Sequence, residues 1–96
     1  MTLSYAGDPD KLLAFAKDNH DRMIAITAKA KEHGVISHRF YASDEGLMVV
    51  DEWPSEEAFQ AFFAASPEIS SLMQESGATS RPTITFWRKL DTGDEI

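Results

Sequence analysis

Apolar residues recur at two spacings along the chain, and the spacing changes where turn-forming residues fall. Thr2 to Ala6 alternates, with Leu3 and Tyr5 on one side, and predicts a short first strand. From Asp10 to His33 the spacing becomes helical. At about 100° per residue, Leu12, Ala16, Met23, Thr27 and Ala30 share one arc. Leu13 and Ile24 flank it on one edge, Phe15 and Ile26 on the other. Asp8 suits the N-cap of this helix, Pro9 its first position, and Gly34 the residue that ends it. Two polar residues, Asn19 and His20, fall on the buried arc, where leucine or alanine is expected.

Val35 to Ala42 and Leu47 to Trp53 return to strand composition, rich in β-branched and aromatic residues. Ser43-Asp44-Glu45-Gly46 between them has the chemistry of a hairpin loop, with Gly46 free to take positive φ. Pro54 ends the second of these strands because it has no N–H to give a ladder. Ser55 then caps a helix whose first turn holds Glu56 and Glu57, and Phe59, Phe62 and Phe63 form its apolar stripe. Ser66-Pro67-Glu68 restarts the helix after a break, Ile69, Leu72 and Met73 repeat the stripe, and Gly77 ends it. Thr83 to Leu90 predicts a last strand, and the acidic stretch from Asp91 to Ile96 a frayed tail.

The order strand, helix, strand, strand, helix pair, strand predicts an α+β fold of the ferredoxin-like, split βαβ type. It has a four-stranded antiparallel sheet with its helices on one face, built as a single domain over residues 1–90. Both faces of the strands carry large side chains, however. Leu47, Val49, Asp51 and Trp53 point one way while Met48, Val50 and Glu52 point the other. Helices can cover only one of these faces, so the pattern predicts a homodimer that stacks the other two sheets into an α+β barrel.

Composition narrows the partners. Of the 96 residues, 16 are acidic and 9 basic, for a net charge of −7, which repels phosphate backbones and argues against nucleic acid. The chain has no cysteine, which excludes disulfides and thiolate chemistry. No apolar run approaches the roughly 20 residues that span a bilayer, and no basic-then-apolar leader opens the chain. A cytoplasmic protein with no membrane partner is expected.

With these elements placed, the stretch GVISHRFYASDEGLMVVDEWPSEEAFQAFF, Gly34 to Phe63, resembles the dimeric α+β barrel superfamily. It is most similar to the small single-domain members grouped with the antibiotic-biosynthesis monooxygenases. A hairpin closing on an acid-Trp pair, a Ser-Glu-Glu-Ala-Phe helix start, and Phe86-Trp87 in the closing strand carry the likeness. The resemblance implies a small-molecule cavity between helices and sheet. Fold likeness alone leaves the chemistry open, since the superfamily includes oxygenases, haem degraders, isomerases, cyclases and proteins without activity.

His20, His38 and Asp51 are the candidate catalytic residues, with either histidine as base and either Asp51 or Glu52 assisting it. Asn19, Phe40, Tyr41, Glu52, Trp53, Phe59 and Trp87 are the candidate ligand-binding residues, although aromatics at these spacings also serve simply as core. Two histidines and a carboxylate suffice in number for a metal, but no metal-type spacing supports one, and none is expected. His33 beside Gly34 suits the negative end of a helix dipole instead. Haem-degrading relatives use a histidine on the later helix, and this chain has none beyond residue 38. No cofactor is expected. Three readings stay open: a cofactor-independent, monooxygenase-like or isomerase/cyclase-like enzyme acting on a small aromatic or polyketide-like substrate; a non-catalytic ligand-binding or stress-type module; and a purely structural dimer.

Overall fold

Leu3 and Tyr5 sit at the centre of the molecule, on a strand that is paired on both sides. The computed structural model describes residues 1–96. Strand β1 (Thr2–Tyr5) lies between β3 (Gly46–Glu52) and β4 (Thr83–Thr85), and β2 (Ser37–Ser43) pairs with β3 as the outer edge. The order is β2-β3-β1-β4 and every pairing is antiparallel. This is the split βαβ topology: two helical crossovers and one tight hairpin, in a four-stranded α+β sheet.

Local chemistry sets most element ends. Helix α1 (Pro9–Asp18) begins with Asp8 accepting the Asp10 N–H at 2.9 Å and Pro9 in the first turn. Helix α3 (Glu56–Ala64) begins with Ser55 accepting the Ala58 N–H at 3.1 Å. The β2–β3 hairpin turns on Gly46, at φ 142°, where a Cβ would stand 2.6 Å from the Tyr5 carbonyl oxygen. Only glycine lets β3 leave the turn that close to β1.

Two elements depart from the sequence pattern. The long first helix is two, α1 and α2 (His20–Glu32), because Asn19 sits at ψ 35° rather than the helical value. The Asn19 side chain donates to the Phe15 carbonyl at 3.1 Å, competing with the helical ladder as short polar side chains do. The predicted buried arc survives the break, since Leu12 and Ala30 are buried and Ala16, Met23 and Thr27 half-buried. His20 does not stay on it. As the first residue of α2 it is turned outward and exposed, which corrects the expectation of a buried histidine there. The last strand is also shorter than Thr83–Leu90. It stops at Thr85, opposite Thr2, and the next residue of that edge, Met1, gives its main-chain groups to Asp51 on β3.

The helix-facing side of the sheet carries Leu3, Tyr5, Leu47, Val49 and Asp51, all buried. Leu12 of α1 packs on the four apolar ones, while Phe59, Phe62 and Ala30 form a second cluster with Trp53, Phe63, Ile69 and Phe86 around it. The other side of the sheet meets no helix. It presents half-buried Met48 and Val50 together with exposed Tyr41, and Trp87 follows beyond β4, 69% exposed and donating to Thr2 Oγ1 at 2.9 Å. Residues 91–96 are exposed and form neither helix nor strand. No helix is long and apolar enough to cross a membrane.

Helix α4 (Glu68–Glu75) is held less ideally than α3. Ser66 precedes it but does not cap it: its hydroxyl is buried and has no hydrogen-bond partner. An orphaned buried polar group costs about 1–3 kcal/mol. Ser66→Ala is therefore expected to raise the unfolding free energy by about 1 kcal/mol in urea melts, with a fall of that size contradicting the assignment.

Two ion pairs pin α2 against α4, one at each end: Arg22 with Glu75 at 2.7 Å and Lys29 with Glu68 at 2.7 Å. The hydrogen bond from Arg22 lowers the Glu75 pKa from 4.5, and that from Lys29 lowers the Glu68 pKa likewise. A carboxyl whose folded pKa lies below its unfolded one stabilises fully above the unfolded value and loses the effect as pH falls through the folded value. Thermal melts of the protein and of Glu75→Gln should thus differ above pH 4.5 and converge on acidification. The gap should be modest and shrink with salt, because both partners are exposed. A gap that widens in acid would contradict this pairing.

Candidate functional site

One feature of the helix-facing layer is not filled by side chains. Between the sheet and helices α2, α3 and α4 lies a cavity of about 120 Å³, walled almost entirely by apolar groups. Met23 and Ile26 come from α2, Phe59 and Phe62 from α3, Leu72 and Met73 from α4, and Leu3 and Val49 from the sheet. His38 and Asp51 are the titratable pair in this wall, and they arrive there together because β2 and β3 place them directly opposite each other.

Their geometry is specific. His38 Nδ1 lies 2.6 Å from Asp51 Oδ1, and Trp53 Nε1 donates to Asp51 Oδ2 at 3.1 Å. A carboxylate offers only acceptors, so the ring nitrogen facing it is the one that donates, and in a neutral ring this makes Nε2 the lone-pair nitrogen. The Asp51 side chain is 6% exposed and that of His38 35%. A buried carboxylate is tolerated only when it is paired and hydrogen-bonded, and both of its oxygens are. Asp51 and Trp53 share one side of β3 by the two-residue period, and Trp53 is locked in turn by Phe59 and Phe62, with ring centres 5.6 and 5.3 Å away. The chain of support therefore runs from the α3 aromatics through Trp53 and Asp51 to the His38 ring.

The exposed residues of the wall lie on β2. This edge strand is poorly covered by the helices, and His38 and Phe40 line the cavity while remaining accessible to solvent. Phe40 stands edge-on to the His38 ring at 5.2 Å.

The residues singled out in the sequence divide cleanly. His38, Asp51, Phe40 and Phe59 form part of the wall. Trp53 stands behind it as the hydrogen-bond donor to Asp51. Glu52 points to the opposite face of the sheet and is exposed, so the buried acid of the pair is Asp51. Tyr41 also lies on the uncovered face and Trp87 reaches across it, while Asn19 sits at the helix break. His20 is remote from the cavity wall for the reason given above. His33 caps α2, its Nδ1 3.0 Å from the Lys29 carbonyl.

Other wall residues were not anticipated as such. Tyr5, Met1 and Met73 carry the ordinary signature of core positions, and alternation or helical spacing does not distinguish a packed wall from a lined void. No cluster of three or more histidine, aspartate or glutamate side chains comes together in the fold. Comparison with protein-family models, with curated proteins and with solved structures yields no match.

Proposed function

We propose that this protein binds a small monocyclic, predominantly apolar molecule between its helices and sheet, and that His38 acts there as a base held by Asp51. The observation that carries the reading is the Trp53–Asp51–His38 hydrogen-bond series ending at an otherwise apolar cavity. An imidazole fixed in one tautomer by a buried carboxylate is suited to take a proton from a weakly acidic O–H or C–H. That step is the common opening of cofactor-independent oxygenation, isomerisation and cyclisation, the activities implied by the sequence resemblance. A cavity of about 120 Å³ suits one ring, since an apolar void of about 150 Å³ accepts benzene.

The test is proton abstraction itself. Enolisable ring ketones and monocyclic phenols, incubated in deuterated water under air, should gain deuterium or convert to product. His38→Gln should slow this by about 10²–10⁴-fold, the usual contribution of a general base. Equal rates for the protein and the variant would exclude His38 as the base.

A second reading has its own support. Asp51 satisfies both its oxygens within the chain, as a purely structural network would. Under this reading the same cavity holds its ligand unchanged, and saturable binding with no conversion after long incubation separates it from the first.

We also propose that a second copy covers the sheet face bearing Met48, Val50 and Tyr41, together with Trp87. Two-fold stacking would remove this apolar strip from water. Sedimentation should then give a particle of twice 10.7 kDa, reduced to a single chain by Val50→Lys. A single chain without the substitution would overturn the assembly.

A further inference from the structure

Met23 is the one half-buried apolar residue of the cavity wall that packs on neither of the two buried clusters. Ile26, Phe63 and Ile69 join the cluster of Phe59 and Phe62, Met73 joins that of Leu3 and Tyr5, and Met1 touches both. The cavity is thus bordered at this point by a side chain that the core clusters do not hold.

The backbone beneath it is held firmly. The Met23 N–H donates to the Asn19 carbonyl at 3.1 Å, and the Met23 carbonyl accepts from Thr27 Oγ1 at 3.1 Å. The preceding residue, Arg22, makes two hydrogen bonds to the Glu75 carboxylate, at 3.1 and 2.7 Å. Further along α2, Lys29 pairs with Glu68 at 2.7 Å. Helix α2 is therefore tied to α4 on both sides of Met23, so adjustment of this wall falls to the side chain rather than to the helix. Methionine suits that role, being unbranched, with three rotatable bonds and a polarisable sulfur that fills spaces of different shape. The rest of the wall is stiffer. Phe59 and Phe62 are locked against Trp53, and Val49 and Ile26 branch at Cβ.

We propose that Met23 is a specificity-determining residue: its side chain turns aside to enlarge the cavity, which then admits fused two-ring phenols as well as single rings. The resting volume of about 120 Å³ suits one ring, and a second fused ring exceeds it. The favoured ligand class accordingly extends from phenol to naphthol, with the hydroxyl still meeting His38. This rests on the reading of the cavity as a ligand site.

The experiment measures calorimetric affinities of the protein and of Met23→Leu for phenol and for 1-naphthol. Leucine keeps the volume and the helix propensity but gives up the flexible stem, so the variant should fold, which a thermal melt verifies. The expected result is a loss of about 10-fold for 1-naphthol with phenol unchanged, as overpacking a stiffened wall costs. A second measurement needs no substitution. With the methionine methyl groups labelled, 1-naphthol should shift the Met23 signal more than phenol does, while Met48, on the sheet face away from the helices, stays fixed. Equal loss for both ligands, no loss for 1-naphthol, or a Met23 signal that answers both ligands alike overturns the role of Met23 and leaves the cavity as a binding site. Binding of phenol but not 1-naphthol by the unaltered protein does the same. Binding of neither overturns the cavity reading and the role of Met23 with it.

Discussion

Phe59→Ala is expected to lower the unfolding free energy by about 3–5 kcal/mol, the range for deleting a buried phenylalanine. Phe59 is almost fully buried and holds four aromatic neighbours. Its ring lies 5.6 Å from Trp53, 5.4 Å from Phe63, 5.6 Å from Phe86 and 6.5 Å from Phe62. Each well-oriented pair adds about 0.5–1.5 kcal/mol beyond area burial. A domain of 96 residues has only about 5–15 kcal/mol in total, so one truncation would remove a large share of it. The site should suffer as well, because Phe59 both walls the cavity and locks the Trp53 ring that donates to Asp51. Urea unfolding provides the measurement. A loss below about 1 kcal/mol would show that the cluster does not organise the fold.

Asp51→Asn should produce the largest functional effect: a fall in turnover of about 10²–10⁴-fold with the fold retained. The amide is nearly isosteric, and its oxygen can still accept one of the two bonds Asp51 now receives. It cannot fix the His38 tautomer with a carboxylate opposite Nδ1, so Nε2 is no longer held as the lone-pair nitrogen. Asp51→Ala differs in kind. It leaves His38 Nδ1 and Trp53 Nε1 unpaired beside a new void, at about 1–3 kcal/mol for each orphaned group that stays dry. Comparing turnover and melting temperature across the two variants therefore separates the positioning of His38 from simple support of the fold. Undiminished turnover in Asp51→Asn would remove the carboxylate from the mechanism.

The architecture was legible because local and global signals agree along most of the chain. Asp8-Pro9, Ser55, Gly46 and Gly77 mark boundaries that the structure keeps, and alternation correctly assigns Leu47, Val49 and Asp51 to one side of β3. The His38–Asp51 pairing follows from the same alternation once the hairpin register is fixed at Ser43 and Gly46. His20 misled for a physical reason. Helical spacing assumes one unbroken axis, and a single residue, Asn19, ends that axis by turning its side chain to its own backbone. The length of the last strand was not readable either, since it depends on what the neighbouring strand leaves unpaired rather than on the residues from Phe86 onward. The cavity itself has no sequence signature. Met23, Ile26 and Leu72 would read the same whether they touched one another or enclosed a void.

The most direct test of the central claim uses the three histidines as reporters in one sample. With the imidazole nitrogens labelled, titration with phenol should shift the His38 Nε2 resonance saturably. Signals from His20, exposed at the start of α2, and His33, bonded to the Lys29 carbonyl, should stay fixed. A His38 signal that does not move while phenol binds, or that moves no more than that of His20, would contradict a ligand site built around the His38–Asp51 pair.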